Sequence, residues 1–244
     1  MRAETRHGQE IVCVGKLLHQ QGYVAATDGN LSVRLGPHAI LITPANVSKG
    51  MMRLHDLVVV DMQGRTIAGS RSPSSEVGMH LLIYWMRNDV NAIVHAHPPT
   101  ATGYAAAGMT LDPALLREAM LAFGEIPIAD LAAPGTPEVA KSLASFIAQH
   151  DAVLMANHGV VTYGNDIWGA FMTMERIEHF ARIALVTRLL GQQHPLTKEQ
   201  IDTLVSLRRN CRPGRQDAGA LVFASEECTA GESAGEVRMA LGSK

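Results

Sequence analysis

Apolar positions along this chain switch repeatedly between a helical period and an alternating one. Within residues 4–22, Ile11, Val14, Leu17 and Leu18 fall at helical spacing, and Gly22 is placed to end the helix. The period then drops to two. Leu31 and Val33 alternate with Ser32 and Arg34, and Gly36-Pro37 turns the chain into a second strand at 39–42. Residues 56–64 (DLVVVDMQG) read as a buried strand closed by a turn. A helix is predicted from Ser74 to Arg87, behind Pro73, with Met79, Leu82, Ile83 and Met86 as its apolar stripe. Residues 91–97 (NAIVHAH) make a strand that Pro98-Pro99 halts.

Further helices are predicted at 100–107 and 113–123, then a short strand near 126–130. Thr136, with Pro137 at the first helical position, caps a helix running through Gln149. Residues 152–164 give two strands interrupted by Asn157-His158-Gly159. Asp166 caps a long helix to about Leu190, whose inner face is Ile167, Phe171, Met174, Ile177 and Leu185. Thr197, with Gln200 at the capping-box position, opens a last helix over 197–210. Beyond Arg212 periodicity fades into Gly, Ala, Ser and Glu, so 213–244 is expected to be a flexible tail behind a single domain at 1–212. Helices and strands alternate, yet several strands pair as hairpins. The pattern therefore predicts an α/β fold with a mixed sheet covered by helices, not a purely parallel one.

Composition narrows the function classes. A chain of 244 residues with 47% hydrophobic and 18% charged residues can bury a large core without disulfides. The formal charge of −2, without a dense Lys/Arg run, argues against a protein held to nucleic acid by phosphate contacts. Cys13, Cys211 and Cys228 are odd in number and form no CxxC, so a reducing cytoplasm is expected and a cysteine zinc knuckle is not. No apolar run reaches the ~20 residues of a membrane span, and the N-terminus lacks the h-region of a signal peptide.

Candidate chemistry begins at His95-Ala96-His97. Residues i and i+2 of a strand share a face, so the two imidazoles project together, and Pro98 should leave both at the sheet's edge. His158 sits in the turn between two apolar strands. Three neutral imidazoles around an open position suit a catalytic zinc ion; the same residues also read as a polar strand end and a turn histidine. Ser74-Ser75-Glu76 offers hydroxyls and backbone N–H groups at a helix start, which suits a phosphate, although Ser and Glu are also favoured there for capping alone. Glu76 beside a metal could move a proton on a carbon made acidic by a neighbouring carbonyl. Asp28-Gly29-Asn30 and Thr43-Pro44-Ala45-Asn46 are turn compositions whose N–H groups could add anion donors.

The order of TDGNLSVR, ITPANVSKG, SPSSEVGMH, VHAHPP and ANHGVV, from about residue 8 to 195, resembles the class II (zinc) aldolase and adducin-head family. The resemblance implies a three-layer α/β/α fold and a cyclic homotetramer with active sites at subunit junctions. It maps metal ligands onto His95, His97, His158 and Glu76, the last also as acid/base. It maps phosphate-holding positions onto Gly29, Asn30, Thr43, Ser74 and Ser75, with Asn46 in the same loop. Where the family often has Ser-Gly, this chain has Ala45-Asn46; a hydroxyl donor is lost, but Asn tolerates a left-handed backbone nearly as glycine does. The family's fuculose-phosphate aldolases use a tyrosine from a neighbouring subunit as proton donor. None of Tyr23, Tyr84, Tyr104 and Tyr163 lies in the matching segment, where Glu118 is the nearest ionisable candidate.

The expected function is metal-dependent cleavage of a phosphorylated ketose or deoxyketose through a stabilised enediolate, with Zn²⁺ as cofactor and Mn²⁺ or Co²⁺ as alternatives. A 4-epimerase, a thio-sugar phosphate dehydratase or a keto-acid phosphate decarboxylase would use the same site. A non-catalytic adducin-like module would be expected to have broken histidine positions.

Overall fold

In the computed structural model, which describes residues 3–132 and 137–210, a sheet of eight strands runs through the centre of the molecule. The strands are β1 (Asn30–Arg34), β2 (Ala39–Ile42), β3 (Val58–Asp61), β4 (Thr66–Ala68), β5 (Ala92–Ala96), β6 (Ile128–Ala129), β7 (Ala152–Met155) and β8 (Gly159–Gly164). Their spatial order is β4-β3-β2-β1-β5-β8-β7-β6, and every neighbouring pair is antiparallel except β6 with β7. Hairpins build both flanks, so the mixed, largely antiparallel sheet follows from short connections.

Alternation along the strands divides the core in two. Leu31, Val33, Leu41, Val94, Leu154 and Val160 pack beneath α1 (Ala3–Gln20), α3 (Pro99–Ala106), α4 (Arg117–Ala122) and α6 (Ile167–Leu189). Ile40, Ile42, Val58, Ile93, Val153 and Val161 pack on the opposite face beneath α2 (Val77–Met86) and α5 (Pro137–Ile147). Helices on both faces of one sheet make the three-layer α/β/α architecture. The last helix, α7 (Lys198–Asn210), packs against α4.

The caps at Asp166 and Thr197 form as the sequence suggests. Asp166 accepts from the Gly169 N–H at 2.8 Å, and Thr197 and Gln200 exchange backbone and side-chain hydrogen bonds at 2.9 and 3.4 Å. Thr136 and the segment 213–244 lie outside the described residues.

Several expectations are corrected. Helix α2 begins at Val77 and not at Ser74, because the Ser74 N–H is taken by the Thr43 carbonyl at 3.1 Å and Pro73 bridges to Pro44. Its buried face is also rotated. His80 and Tyr84 lie inside with Met79 and Ile83, while Met86 is exposed. Leu185 of α6 is likewise exposed, and Phe180, Ala181 and Ala184 fill that side of the core. The helix expected over 113–123 is broken at Leu116, whose backbone is extended, and the Ala114 carbonyl accepts instead from Leu196. The edge strand β4 was not apparent from the sequence; all three of its residues are exposed, so no buried face imposes a pattern there.

Candidate active site

Antiparallel pairing of β5 with β8 and of β1 with β5 brings distant segments to one place. His95 stands opposite Asn30 on one side and Val161 on the other, on the sheet face covered by α2. His158, in the β7–β8 turn, is carried back beside the end of β5. The ring centroids of His95, His97 and His158 lie 4.7–5.1 Å apart, and one nitrogen from each falls within 4.8 Å of the others.

Placement differs from expectation in one respect. His97 lies just past the strand end and is half-buried, but His95 is completely buried beneath the start of α2, not at an edge. Two glycines make that packing possible. A Cβ at Gly159 would stand 2.6 Å from the His97 ring, and one at Gly29 would stand 2.8 Å from the His95 carbonyl. Gly29 also has a φ of +72°, in the left-handed region that favours glycine.

The Nδ1 of His95 lies 3.0 Å from the Val160 carbonyl, which can only accept, so Nδ1 carries the proton and Nε2 presents a lone pair. That Nε2 is 3.3 Å from Nε2 of His97 and 3.3 Å from Oε2 of Glu76; Oε1 of Glu76 is 3.5 Å from Nε2 of His158. Burial pushes the His95 pKa down to about 3, against the opposing pull of Glu76. Burial and the neighbouring His158 also lower His97. Burial alone would raise the Glu76 carboxyl, but His95, a hydrogen bond from Asn30 and His158 together hold it below its ordinary value. Oε1 of Glu76 is buried and has no hydrogen-bond partner among the described residues.

Glu76, His97 and His158 border a cavity of about 230 Å³, which the completely buried His95 does not line. Gly29, Asn30, Asn46, Ser74, Ser75 and Glu76 all line it, as do His97 and His158. Asn46 has a φ of +57°, so asparagine does adopt the left-handed backbone here. Thr43 does not line the cavity. It is completely buried, and its hydroxyl accepts from the Leu31 N–H at 3.1 Å while its carbonyl holds Ser74. Glu118 is also absent from this lining; on α4 its largely exposed carboxylate pairs with Arg117 at 2.7 Å.

Sequence reasoning missed two residues. Lys49 is only 1% exposed, and its Nζ donates at 2.8 Å to the carbonyls of both Thr27 and Val47, tying together the two loops that flank the cavity. Burial lowers its pKa to about 8, with Asp28 opposing. A lone lysine in a turn string reads as solvated, so no sequence signal marked it. His80 was hidden in an apolar helix; its spacing of one turn from Glu76 was the available clue.

Three closely set imidazoles beside a carboxylate with an unpartnered oxygen, next to a polar cavity, make a cluster able to hold a metal ion. The family model of the class II aldolase and adducin N-terminal domain matches residues 9–185, and the chain belongs to that family. Over 197 residues it is 33% identical to the 5-deoxy-D-ribulose 1-phosphate aldolase of Bacillus thuringiensis serovar kurstaki, covering 80% of this chain and 92% of that one. Over 178 residues it is 33% identical to the 3-oxo-tetronate 4-phosphate decarboxylase of Haemophilus influenzae, with 71% and 84% covered. A solved L-fuculose 1-phosphate aldolase superposes with a TM-score of 0.76 at 31% identity, covering 83% of this chain and 95% of that one. Among the described residues no helix is long and apolar enough to cross a membrane.

Proposed function

We propose that this protein is a divalent-metal-dependent aldolase that cleaves a phosphorylated ketose or deoxyketose. The observation that carries the reading is the meeting of His95, His97, His158 and Glu76 beside a cavity whose walls include Gly29, Asn46, Lys49, Ser74 and Ser75 along with the Asp28 carboxylate. The residues fit a metal. Tetrahedral zinc with ~2.0–2.1 Å bonds sets its ligand atoms about 3.3 Å apart, and the spacings from His95 to His97 and to Glu76 are both 3.3 Å. His95, His97 and His158 would hold the ion, with Glu76 as a fourth ligand in the resting site; zinc is the metal proposed, with manganese or cobalt as alternatives. When bound it would supply Lewis-acid stabilisation of negative charge on the substrate's carbonyl oxygen.

The chain's own residues account for the rest. Gly29, Asn30, Ser74, Ser75 and Asn46 would hold the phosphate with N–H and hydroxyl donors, over the buried charge of Lys49. Cleavage breaks the C3–C4 bond: the C4 hydroxyl loses its proton, C4 becomes an aldehyde, and the bonding pair passes into the C2–C3 enediolate. Glu76, ionised at rest, would take up a proton from solvent on its unpartnered Oε1 and pass it to C3, which balances the proton given up by the C4 hydroxyl. Glu118 would receive the C4 hydroxyl proton only from a neighbouring copy, which is the role a homotetramer with junction sites would give it.

Metal content per subunit, on protein purified without chelator, is the first test. About one zinc per chain that is lost in His97→Ala supports the assignment; full retention of zinc in that variant overturns it. Offering fuculose 1-phosphate and 5-deoxyribulose 1-phosphate should then yield two smaller carbonyl compounds. The likeness to a decarboxylase favours one second reading, in which a phosphorylated keto acid releases carbon dioxide and no second carbonyl fragment appears.

A further inference from the structure

Behind Glu76 a line of buried polar side chains runs from Asn30 into the core. Asn30 Nδ2 is 2.6 Å from Glu76 Oε2, and Asn30 Oδ1 is 2.6 Å from His80 Nε2. His80 Nδ1 is 2.6 Å from the Ser32 hydroxyl, which is 2.8 Å from the Tyr84 hydroxyl. Ser32 and His80 are completely inaccessible, and Asn30 and Tyr84 nearly so.

With His80 neutral, only one direction of hydrogen bonding satisfies every link. An ionised carboxylate only accepts, so Asn30 must turn its NH₂ to Glu76 and its carbonyl oxygen to His80. That oxygen also only accepts, so His80 must carry its proton on Nε2. A neutral imidazole has a single N–H, so Nδ1 accepts, and it accepts from Ser32. The Ser32 oxygen in turn accepts from Tyr84. Reversing the Asn30 amide would face its oxygen with the Glu76 carboxylate, a buried repulsion.

We infer that His80 is a positioning residue: as the Nε2–H tautomer it fixes the Asn30 amide, and through it keeps Glu76 Oε2 engaged while Oε1 stays open to the cavity. The inference rests on the reading of Glu76 as acid/base. The geometry fixes the proton on Nε2, and burial, which pushes the His80 pKa down to about 4, favours the neutral ring.

Long-range ¹H–¹⁵N correlation on the histidine-labelled, metal-replete protein tests the tautomer, with the His80 signal identified by its loss in His80→Gln. A neutral Nε2–H ring is expected; an Nδ1–H or doubly protonated ring at neutral pH overturns the inference. For turnover, His80→Leu should lower kcat by about 10- to 100-fold, the usual cost of losing such a supporting partner, with KM changed by less than about twofold. His80→Gln can still donate to Asn30 and should recover most of that loss. Asn30→Leu combined with His80→Leu should lose no more than Asn30→Leu alone. Equal loss in the leucine and glutamine variants, or additive loss in the pair, overturns the positioning role. If the acid/base reading of Glu76 is what fails, Glu76→Gln keeps its turnover while the His80 tautomer stays as expected.

Discussion

Two buried ionic centres sit at opposite ends of the β5–β8 pair, and they are finished differently. Beyond the start of β5, Arg87 uses all five of its N–H groups: Nε and Nη2 on the Asp89 carboxylate at 2.7 Å, Nη2 on Asp151 at 2.9 Å, and Nη1 on the carbonyls of Ile147 and His150 at 3.0 and 3.1 Å. At the other end Glu76 holds one oxygen against Asn30 and leaves the other buried with no hydrogen-bond partner among the described residues. Imidazole nitrogens there face one another and the carboxylate. An ionic cluster with every donor matched has nothing left to offer a ligand and acts as a clamp. One with unmatched buried atoms bears a cost that a bound ion or substrate can relieve. That contrast separates the candidate active site from its structural counterpart better than burial does, since both are buried.

The contrast can be broken by substitution. The largest effect is expected from Glu76→Gln, which removes the proton carrier: turnover should fall by about 10²- to 10⁴-fold, while the metal and the melting temperature are kept. Undiminished turnover would remove Glu76 from the mechanism. Arg87→Met should do the reverse, lowering unfolding stability by about 3 kcal/mol, the lower end for a broken buried pair because both carboxylates retain some water. Urea unfolding measures this, and metal content should not move; if metal is lost as well, the two ends are not independent.

A smaller effect is expected at Lys49. Lys49→Met should weaken binding of phosphorylated substrate by about tenfold, the scale of one charge-assisted hydrogen bond, seen as a raised KM. The smallest effect is in pH dependence. With its pKa near 8, Lys49 is a cation below that value and neutral above it. Inorganic phosphate should therefore bind progressively less well as pH rises through about 8, and calorimetry should find that limb absent in Lys49→Met. A limb of equal size in the variant would assign the titration to another group.

How much of this was readable in advance depends on the range of the interaction. The hairpin at Gly36, the caps at Asp166 and Thr197 and the amphipathic face of α1 rest on contacts a few residues apart, and local pattern describes them. The projection of His95 and His97 together is equally local. Other features needed long-range packing. The buried face of α2 was misjudged because apolarity was taken as the mark of the interior, whereas His80 and Tyr84 lie inside by satisfying Asn30 and Ser32 on β1. Thr43 was grouped with the anion donors for its place in the turn; inside the fold its hydroxyl meets Leu31 instead.

By itself the sequence determined most of the elements, the mixed character of the sheet and the residue types able to bind a metal and a phosphate, because period, capping and donor chemistry act over one or two turns. Tertiary structure decided which of those residues meet. The register that sets Asn30 beside His95, and Ala96 beside Val160, brings Glu76, His95 and His158 to one point from three separate segments. Burial then did what no residue type specifies. Removing water holds down the pKa of His95, His80 and Lys49, while the Val160 carbonyl and the Asn30 oxygen set which imidazole nitrogen keeps its proton.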